Sequence, residues 1–335
     1  MLERVRETLA DFAPEHLALV GDIGGTNARY GLVDLSADTP EILDAHGYLT
    51  SDYPRSYDSV TAYLDRVGLK RPPHLAVIAV AGPIVDGAIR FTNLDWELSE
   101  SALVGMGFDG ARLLNDYAAL ALAAPLLEPG DTHQIGGPAT VPPQKSIAVL
   151  GPGTGFGVSA LARDGTGHAA MATEGGHVAF APVDEIEIEI LRILTRKFGR
   201  VSVERILSGP GMCDLHDALC EIDGKGAVHR DPAEITRRAV EGDQSALRTV
   251  NRFCGILGSV AGDMALTFGA QGGVYIGGGI APRVLDILDA SPFRERFEDK
   301  GRFRGYLEAI PVKVILRPYA ALLGAAHAPR LLALG

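Results

Sequence analysis

One arrangement occurs twice in this chain and restricts its fold more than any other: an apolar strand, a glycine turn and a second strand. Leu17 to Val20 leads into Gly21-Asp22-Ile23-Gly24-Gly25-Thr26-Asn27, and the following stretch from Arg29 to Asp34 alternates loosely around Tyr30, Leu32 and Val33. Ser146 to Leu150 leads into Gly151-Pro152-Gly153-Thr154-Gly155-Phe156-Gly157 and then Val158 to Leu161. Setting Gly21 on Gly151 puts the two units 130 residues apart. Both turns join strand to strand, whereas dinucleotide folds and P-loops put their glycines between a strand and a helix. No G-x-x-x-x-G-K-[ST] occurs, and the loose dinucleotide match from Gly155 to Ala160 runs on as a strand where that fingerprint needs a helix. Gly24 and Gly25 permit backbone conformations and close approach that a Cβ would forbid, so successive N–H groups can face a phosphate as an anion nest, with the Thr26 hydroxyl beside them. Two such turns facing one another would clamp a polyphosphate; either one alone also reads as an ordinary glycine-rich hairpin. Asp22 would repel a phosphate unless a cation lay between them, which assigns it to water-mediated contact with Mg²⁺.

At 335 residues the chain exceeds the size at which one hydrophobic core stops growing, so two domains around a cleft are expected. The 31 Lys and Arg against 42 Asp and Glu leave a net charge of −11, which opposes attraction to nucleic-acid backbones and anionic lipid. Cys213, Cys220 and Cys254 are odd in number and form no C-x-x-C pair, so they read as reduced thiols of a cytoplasmic protein. Met1 to Pro14 lacks the apolar core of a secretory signal and reads as a short helical extension. Tyr117 to Leu127, the most apolar stretch, is about half of a bilayer span, so no membrane segment is expected.

Between the glycine turns, Leu75 to Val80 reads as a buried strand running into Ala81-Gly82-Pro83. Phe91 to Trp96 holds the only tryptophan, which either lines a cleft or packs the smaller domain. Leu113-Leu114 delivers the polar pair Asn115-Asp116 to the start of a helix, where either residue can cap and Asp116 can serve as a catalytic base facing a hydroxyl. After the second turn, the glycines of Thr173-Glu174-Gly175-Gly176-His177 let a carboxylate and an imidazole approach a ligand, and both suit sugar hydroxyls. Asp184 to Phe198 reads as a helix opened by a capping box of Asp184 and Glu187. Glu204 falls near a helix start, where an acidic residue favours the dipole, and Gly209-Pro210-Gly211 reads as the stop. Asn251 to Phe268 is dense enough in apolar residues for a buried helix, with Gly255, Gly258 and Gly262 where backbones approach. A short strand over Val274 to Ile276 ends in Gly277-Gly278-Gly279, which leaves room for a flat ring such as adenine. Pro311 to Leu316 gives a last strand, and Tyr319 to Ala328 a helix stopped by Pro329.

In this order the turn Gly21 to Asn27, the pair Asn115-Asp116, the turn Gly151 to Gly155, Glu174-Gly175-Gly176-His177, Glu204 and Gly277-Gly278-Gly279 resemble the motifs of bacterial glucokinases, from about Leu17 to near the C-terminus. The resemblance implies an α/β protein with the two-domain actin-like ATPase (ribonuclease H-like) fold, its interdomain cleft closing on a sugar. It implies a discontinuous small domain, 1–126 with 317–335, and a large domain, 127–316. By the same resemblance Asp116 is the base for the 6-hydroxyl of glucose, and Asn115, Glu174, His177 and Glu204 grip the other hydroxyls. Gly21, Asp22, Ile23, Gly24, Gly25 and Thr26 form one phosphate turn for ATP, Gly153, Thr154 and Gly155 the other, and Gly277, Gly278 and Gly279 the adenosine contact. The expected cofactors are ATP and Mg²⁺, the expected partners glucose, ATP and a second copy in a homodimer, with no nucleic acid or membrane. The ROK branch of sugar kinases carries a cysteine-rich zinc loop after its Glu-x-Gly-His segment that is missing from this sequence, so no zinc is expected. A kinase for another hexose or an N-acetylated sugar is the alternative within the family. Two other classes fit less well. A sugar-sensing regulator needs a helix-turn-helix domain, and only about 16 residues precede the first strand. A nucleotide-driven assembly ATPase has no use for Glu174, His177 and Glu204.

Overall fold

Continuous apolar runs become the innermost strands of two sheets, since only residues buried on both faces can fill those positions. The protein is described by a computed structural model for residues 16–331 except 38, 70, 92–93, 164–167 and 227–230, so the extension expected over Met1 to Pro14 lies outside the described residues. Two compact units emerge, Met1–Leu126 with Arg317–Gly335 and Leu127–Leu316.

In the first unit, β1 (Leu17–Ile23), β2 (Asn27–Asp34), β3 (Ile42–Leu49) and β4 (Leu75–Val80) precede a small hairpin of β5 (Ala88–Arg90) and β6 (Glu97–Ser99), and β7 (Gly110–Asn115) follows. The five-stranded sheet has the order β3-β2-β1-β4-β7, with β1, β2 and β3 antiparallel and β4 and β7 parallel to β1. All six residues of β4 are buried. Trp96 is 3% exposed, meets Phe91 edge to face and donates its indole N–H to the Tyr53 carbonyl at 3.1 Å, so it packs the core of this unit. The helix Ala320–Leu331 covers the same sheet and runs through Pro329, past the stop expected there. Proline there forfeits one backbone bond, and the buried Leu322, Leu323, Ala325, Ala326 and Ala328 hold the helix on its sheet.

The second unit repeats the pattern. It comprises β8 (Thr132–Gly136), β9 (Ile147–Pro152), β10 (Phe156–Arg163), β11 (His168–Thr173), β12 (Val274–Ile276) and β13 (Val312–Ile315), in the order β11-β10-β9-β12-β13-β8. An antiparallel meander is again followed by two strands parallel to its first, and β8 closes the far edge antiparallel. The helix Glu185–Phe198 is capped by Asp184, whose carboxylate accepts the Glu187 N–H. Glu187 departs from the reciprocal box: it accepts from Val183 N–H and, fully buried, takes Arg252 and Arg296 as ion partners. A buried carboxylate needs such compensation. The long helix begins earlier than expected, at Gln244, because Asp243 caps it through the Ala246 N–H. Gly209-Pro210-Gly211 opens a helix, Gly209–Ile222, instead of stopping one: Ser208 caps it and Pro210 sits in the first turn, where a missing N–H costs nothing. Glu204 consequently stands in the turn segment before that helix and not at a helix start. Among the described residues no helix is long and apolar enough to cross a membrane.

Candidate active site

In the first unit the strand register gathers the polar residues at one sheet edge. Ile23 pairs with Val80 and Val80 with Asn115, so the ends of three parallel strands bring the first glycine turn and Asn115-Asp116 to the same edge. Carboxyl ends of parallel strands are where open α/β sheets take ligands. Gly21, Asp22 and Ile23 belong to β1 itself, opposite Tyr30, Arg29 and Ala28, and the turn proper is closed by the Gly24 N–H on the Asn27 carbonyl at 2.9 Å. Thr50, not singled out by the sequence, braces it: its N–H donates to Thr26 O and its hydroxyl to Gly25 O. Neither Gly24 nor Gly25 has a left-handed φ, and a Cβ on Gly25 would meet nothing within 4 Å. Unusual backbone conformation therefore does not explain the two glycines; they leave the turn's backbone open to a ligand.

Asp22 is largely buried and paired with Arg29 at 3.1 Å. Burial raises its pKa, against the opposing pull of the Arg29 charge and hydrogen bond. Arg29 in turn lies over the Tyr319 ring, 5.7 Å from its centroid. Among the described residues no group of three or more His, Cys, Asp or Glu can hold a metal. The donor set fits an ion shared between one carboxylate, water and bound phosphates, which is how Mg²⁺ is commonly held.

Asn115 caps the helix Asp116–Ala123, its Oδ1 accepting the Ala118 N–H at 3.0 Å. The cap is thus Asn115, and Asp116 enters the first turn with its Oδ1 accepting the Tyr117 N–H at 2.9 Å. Asn115 keeps its amide N–H donors for other use.

In the second unit Gly153 to Gly155 form a tighter turn, closed by the Gly153 N–H on Gly155 O at 2.8 Å and tied to the helix Gly209–Ile222 by the Gly209 N–H on Gly153 O. Thr154 is exposed at its tip. The glycines after β12 stack on this corner: the Gly277 N–H donates to Leu150 O, Gly278 has φ +81°, and a methyl on it would overlap the Pro152 carbonyl. Backbone packing thus accounts for Gly278, whereas at Gly279 an added Cβ would find open space.

Glu174, His177 and Glu204 come together beside the second turn. The Glu204 N–H donates to Gly176 O at 2.9 Å, which holds its segment against the Glu174 to His177 loop. His177 lies between two carboxylates, 3.8 Å from Glu174 and 3.9 Å from Glu204, beyond hydrogen-bond reach but close in charge. Glu174 and His177 are more than half exposed and offer their polar atoms to a ligand. Glu204 Oε2 accepts the Phe156 N–H at 2.8 Å, a contact that sequence spacing does not reveal. Burial, reinforced by the Asp214 charge, pushes the Cys213 thiol up to about 11, and burial pushes Cys254 up to about 12, which makes both poor nucleophiles at neutral pH.

The Glucokinase family model matches residues 19–331 of the chain. A glucokinase of Caulobacter vibrioides is 56% identical over 93% of this chain and 95% of its own length. Among solved structures, a glucokinase from an Antarctic psychrotroph has a TM-score of 0.84 and 38% identity, covering 93% of this chain and 98% of its own. A ROK family glucokinase from Streptomyces griseus, in complex with glucose and AMPPNP, shares the fold with a TM-score of 0.63 at 20% identity, over 94% of this chain and 99% of its own. The two repeated sheets are those of the actin-like ATPase fold. On the family match and the identity to curated relatives, the chain belongs to the glucokinase family of enzymes.

Proposed function

We propose that the chain transfers the γ-phosphoryl group of ATP to the 6-hydroxyl of D-glucose, giving glucose 6-phosphate and ADP. The observation that carries this reading is the division of labour at Asn115-Asp116: Asn115 does the capping, so the adjoining carboxylate stands in a first helical turn at the sheet edge that also bears the glycine turn. Asp116 takes the proton of the 6-hydroxyl as the O–P bond forms, a role that contributes about 10² to 10⁴ in rate. Asn115, Glu174, His177 and Glu204 hold the remaining hydroxyls through their donors and acceptors. Gly21 to Thr26 and Gly153 to Gly155 form the two phosphate turns, their N–H groups facing the phosphates except those of the β1 ladder and of Gly24 and Gly153, which close the turns, and Gly277 to Gly279 take the adenosine. Asp22 would hold Mg²⁺ through water, and the ion would neutralise charge on the transferring phosphates. The work of the protein is then positioning and electrostatics. The glucose and AMPPNP bound by the Streptomyces griseus neighbour make the same two ligands the first to test.

The test is ADP release with Mg-ATP and glucose, mannose, fructose, N-acetylglucosamine or no sugar. Strong dependence on glucose is expected. Asp116→Ala should lower kcat by at least about a hundredfold while changing the glucose KM by less than about fivefold. Equal turnover without sugar, or equal loss in kcat and binding in the variant, would overturn the assignment.

A further inference from the structure

Glu204 faces two groups at once. Its Oε2 accepts the Phe156 N–H at 2.8 Å, and its Oε1 lies 3.9 Å from His177 Nδ1, with the side chain 32% exposed. Phe156 opens β10 directly after the turn Gly153 to Gly155, and a Cβ built on Gly155 would lie 2.5 Å from the same Oε2. The φ of Gly155 is not left-handed, so its own backbone does not demand glycine; a methyl there would have to displace the Glu204 carboxylate from its place on the Phe156 N–H. The backbone on either side of the carboxylate is fixed, through the Glu204 N–H on Gly176 O and the Gly209 N–H on Gly153 O. One carboxylate therefore spans the loop carrying Glu174 and His177 and the turn carrying Gly153 to Gly155.

We propose that Glu204 is a positioning residue for the second phosphate turn as well as a ligand for the sugar, so that sugar and nucleotide sites are built around one side chain and bind their ligands synergistically. This rests on the reading of Glu204 as a hydroxyl ligand and of Gly153 to Gly155 as a phosphate turn. A sugar hydroxyl on Oε1 restricts the side-chain torsions that also hold Oε2 on the Phe156 N–H. A phosphate on the turn fixes the direction of that N–H. Whichever ligand binds first meets part of the ordering cost of the other.

The experiment compares wild type with Glu204→Gln, Glu204→Ala, Gly155→Ala and the Gly155→Ala/Glu204→Ala double variant. The readouts are calorimetric Mg-AMPPNP affinity without sugar and the KM for glucose. Glu204→Gln keeps an oxygen for the Phe156 N–H, so Mg-AMPPNP affinity should stay within about twofold while the glucose KM rises at least about tenfold. Glu204→Ala removes the acceptor and should weaken Mg-AMPPNP at least about fivefold as well. Gly155→Ala should raise the glucose KM in the wild-type background and add less than about twofold once Glu204 is already alanine. Unchanged Mg-AMPPNP affinity in Glu204→Ala, or additive effects in the double variant, would overturn the proposal. If wild type binds Mg-AMPPNP but does not phosphorylate glucose, the glucokinase reading fails, and the nucleotide affinities alone still decide the positioning role.

Discussion

At Asp22 a carboxylate is kept in surroundings that disfavour its charge. Burial is the larger influence and raises its pKa above the ordinary 3.8, with Arg29 offsetting part of the effect. A carboxyl whose folded pKa exceeds its unfolded one destabilises the folded state while ionised. That cost is fully present above the folded pKa, shrinks as pH falls through it, and is gone below 3.8. Asp22→Asn should therefore melt at or above the wild-type temperature near about pH 7, with the difference closing toward about pH 4, while activity drops at least about a hundredfold. Melting curves at both pH values check this; a variant that melts below wild type at neutral pH would mean the Arg29 pair outweighs the burial cost. Asp22 and Asp116 are legible in the sequence because they stand beside glycines and at a strand end. Arg29 and Thr50 are not, because one acts through cross-strand register and the other through backbone groups 24 and 25 residues away.

At the scale of elements, glycines decide how closely helices lie. Along Gln244–Phe268, a methyl on Gly258 would overlap the Phe293 carbonyl, and one on Gly262 would lie 2.5 Å from the Phe297 carbonyl, both in the helix Phe293–Glu298. A methyl on Gly255 would meet only the Pro292 side chain at 3.3 Å and Arg296 beyond it. Alanine is favoured over glycine in a helix by about 1 kcal/mol, while overpacking costs about 1–3 kcal/mol. A backbone carbonyl cannot swing away, so steric cost should win at Gly258 and the two terms should nearly cancel at Gly255. Gly258→Ala is expected to lower the melting temperature by several degrees and Gly255→Ala by about a degree or less. Equal melting temperatures would show that the helices separate without penalty. The sequence showed where these backbones approach, since three glycines in an otherwise apolar helix have few other uses. Gly209-Pro210-Gly211 misled in the opposite direction: the same residues suit a helix stop or a helix start, and the choice fell to the Ser208 cap and to packing of Met212 and Leu215 in the core.

At the scale of the whole molecule, two sheets that share one strand pattern follow one another along the chain, and the repeated glycine turn marks that repetition in the sequence. What spacing alone could not fix is which unit claims the last stretch of chain, because that depends on packing. The helix Ala320–Leu331 lies on Asp116–Ala123, so tightly that a methyl on Gly324 would overlap the Ala119 carbonyl, and it also packs on β1 and β4. The first unit thus takes part of its core, and the support of the helix bearing Asp116, from residues far along the sequence. A chain ending at Leu316 keeps every residue of Leu127–Leu316, including the core that surrounds β9, β12 and the long helix. It loses buried side chains from the other unit, among them Leu322, Leu323, Ala325, Ala326 and Ala328. Leucine burial is worth about 1.5–3 kcal/mol each, against total stabilities of about 5–15 kcal/mol. The truncated chain is therefore expected to lose activity and to yield, under limited proteolysis, a resistant fragment close to 127–316 while the rest is digested. A truncated chain whose first unit resisted protease as well as the full-length protein would show that this unit stands without the helix, and the loss of activity would then need another cause.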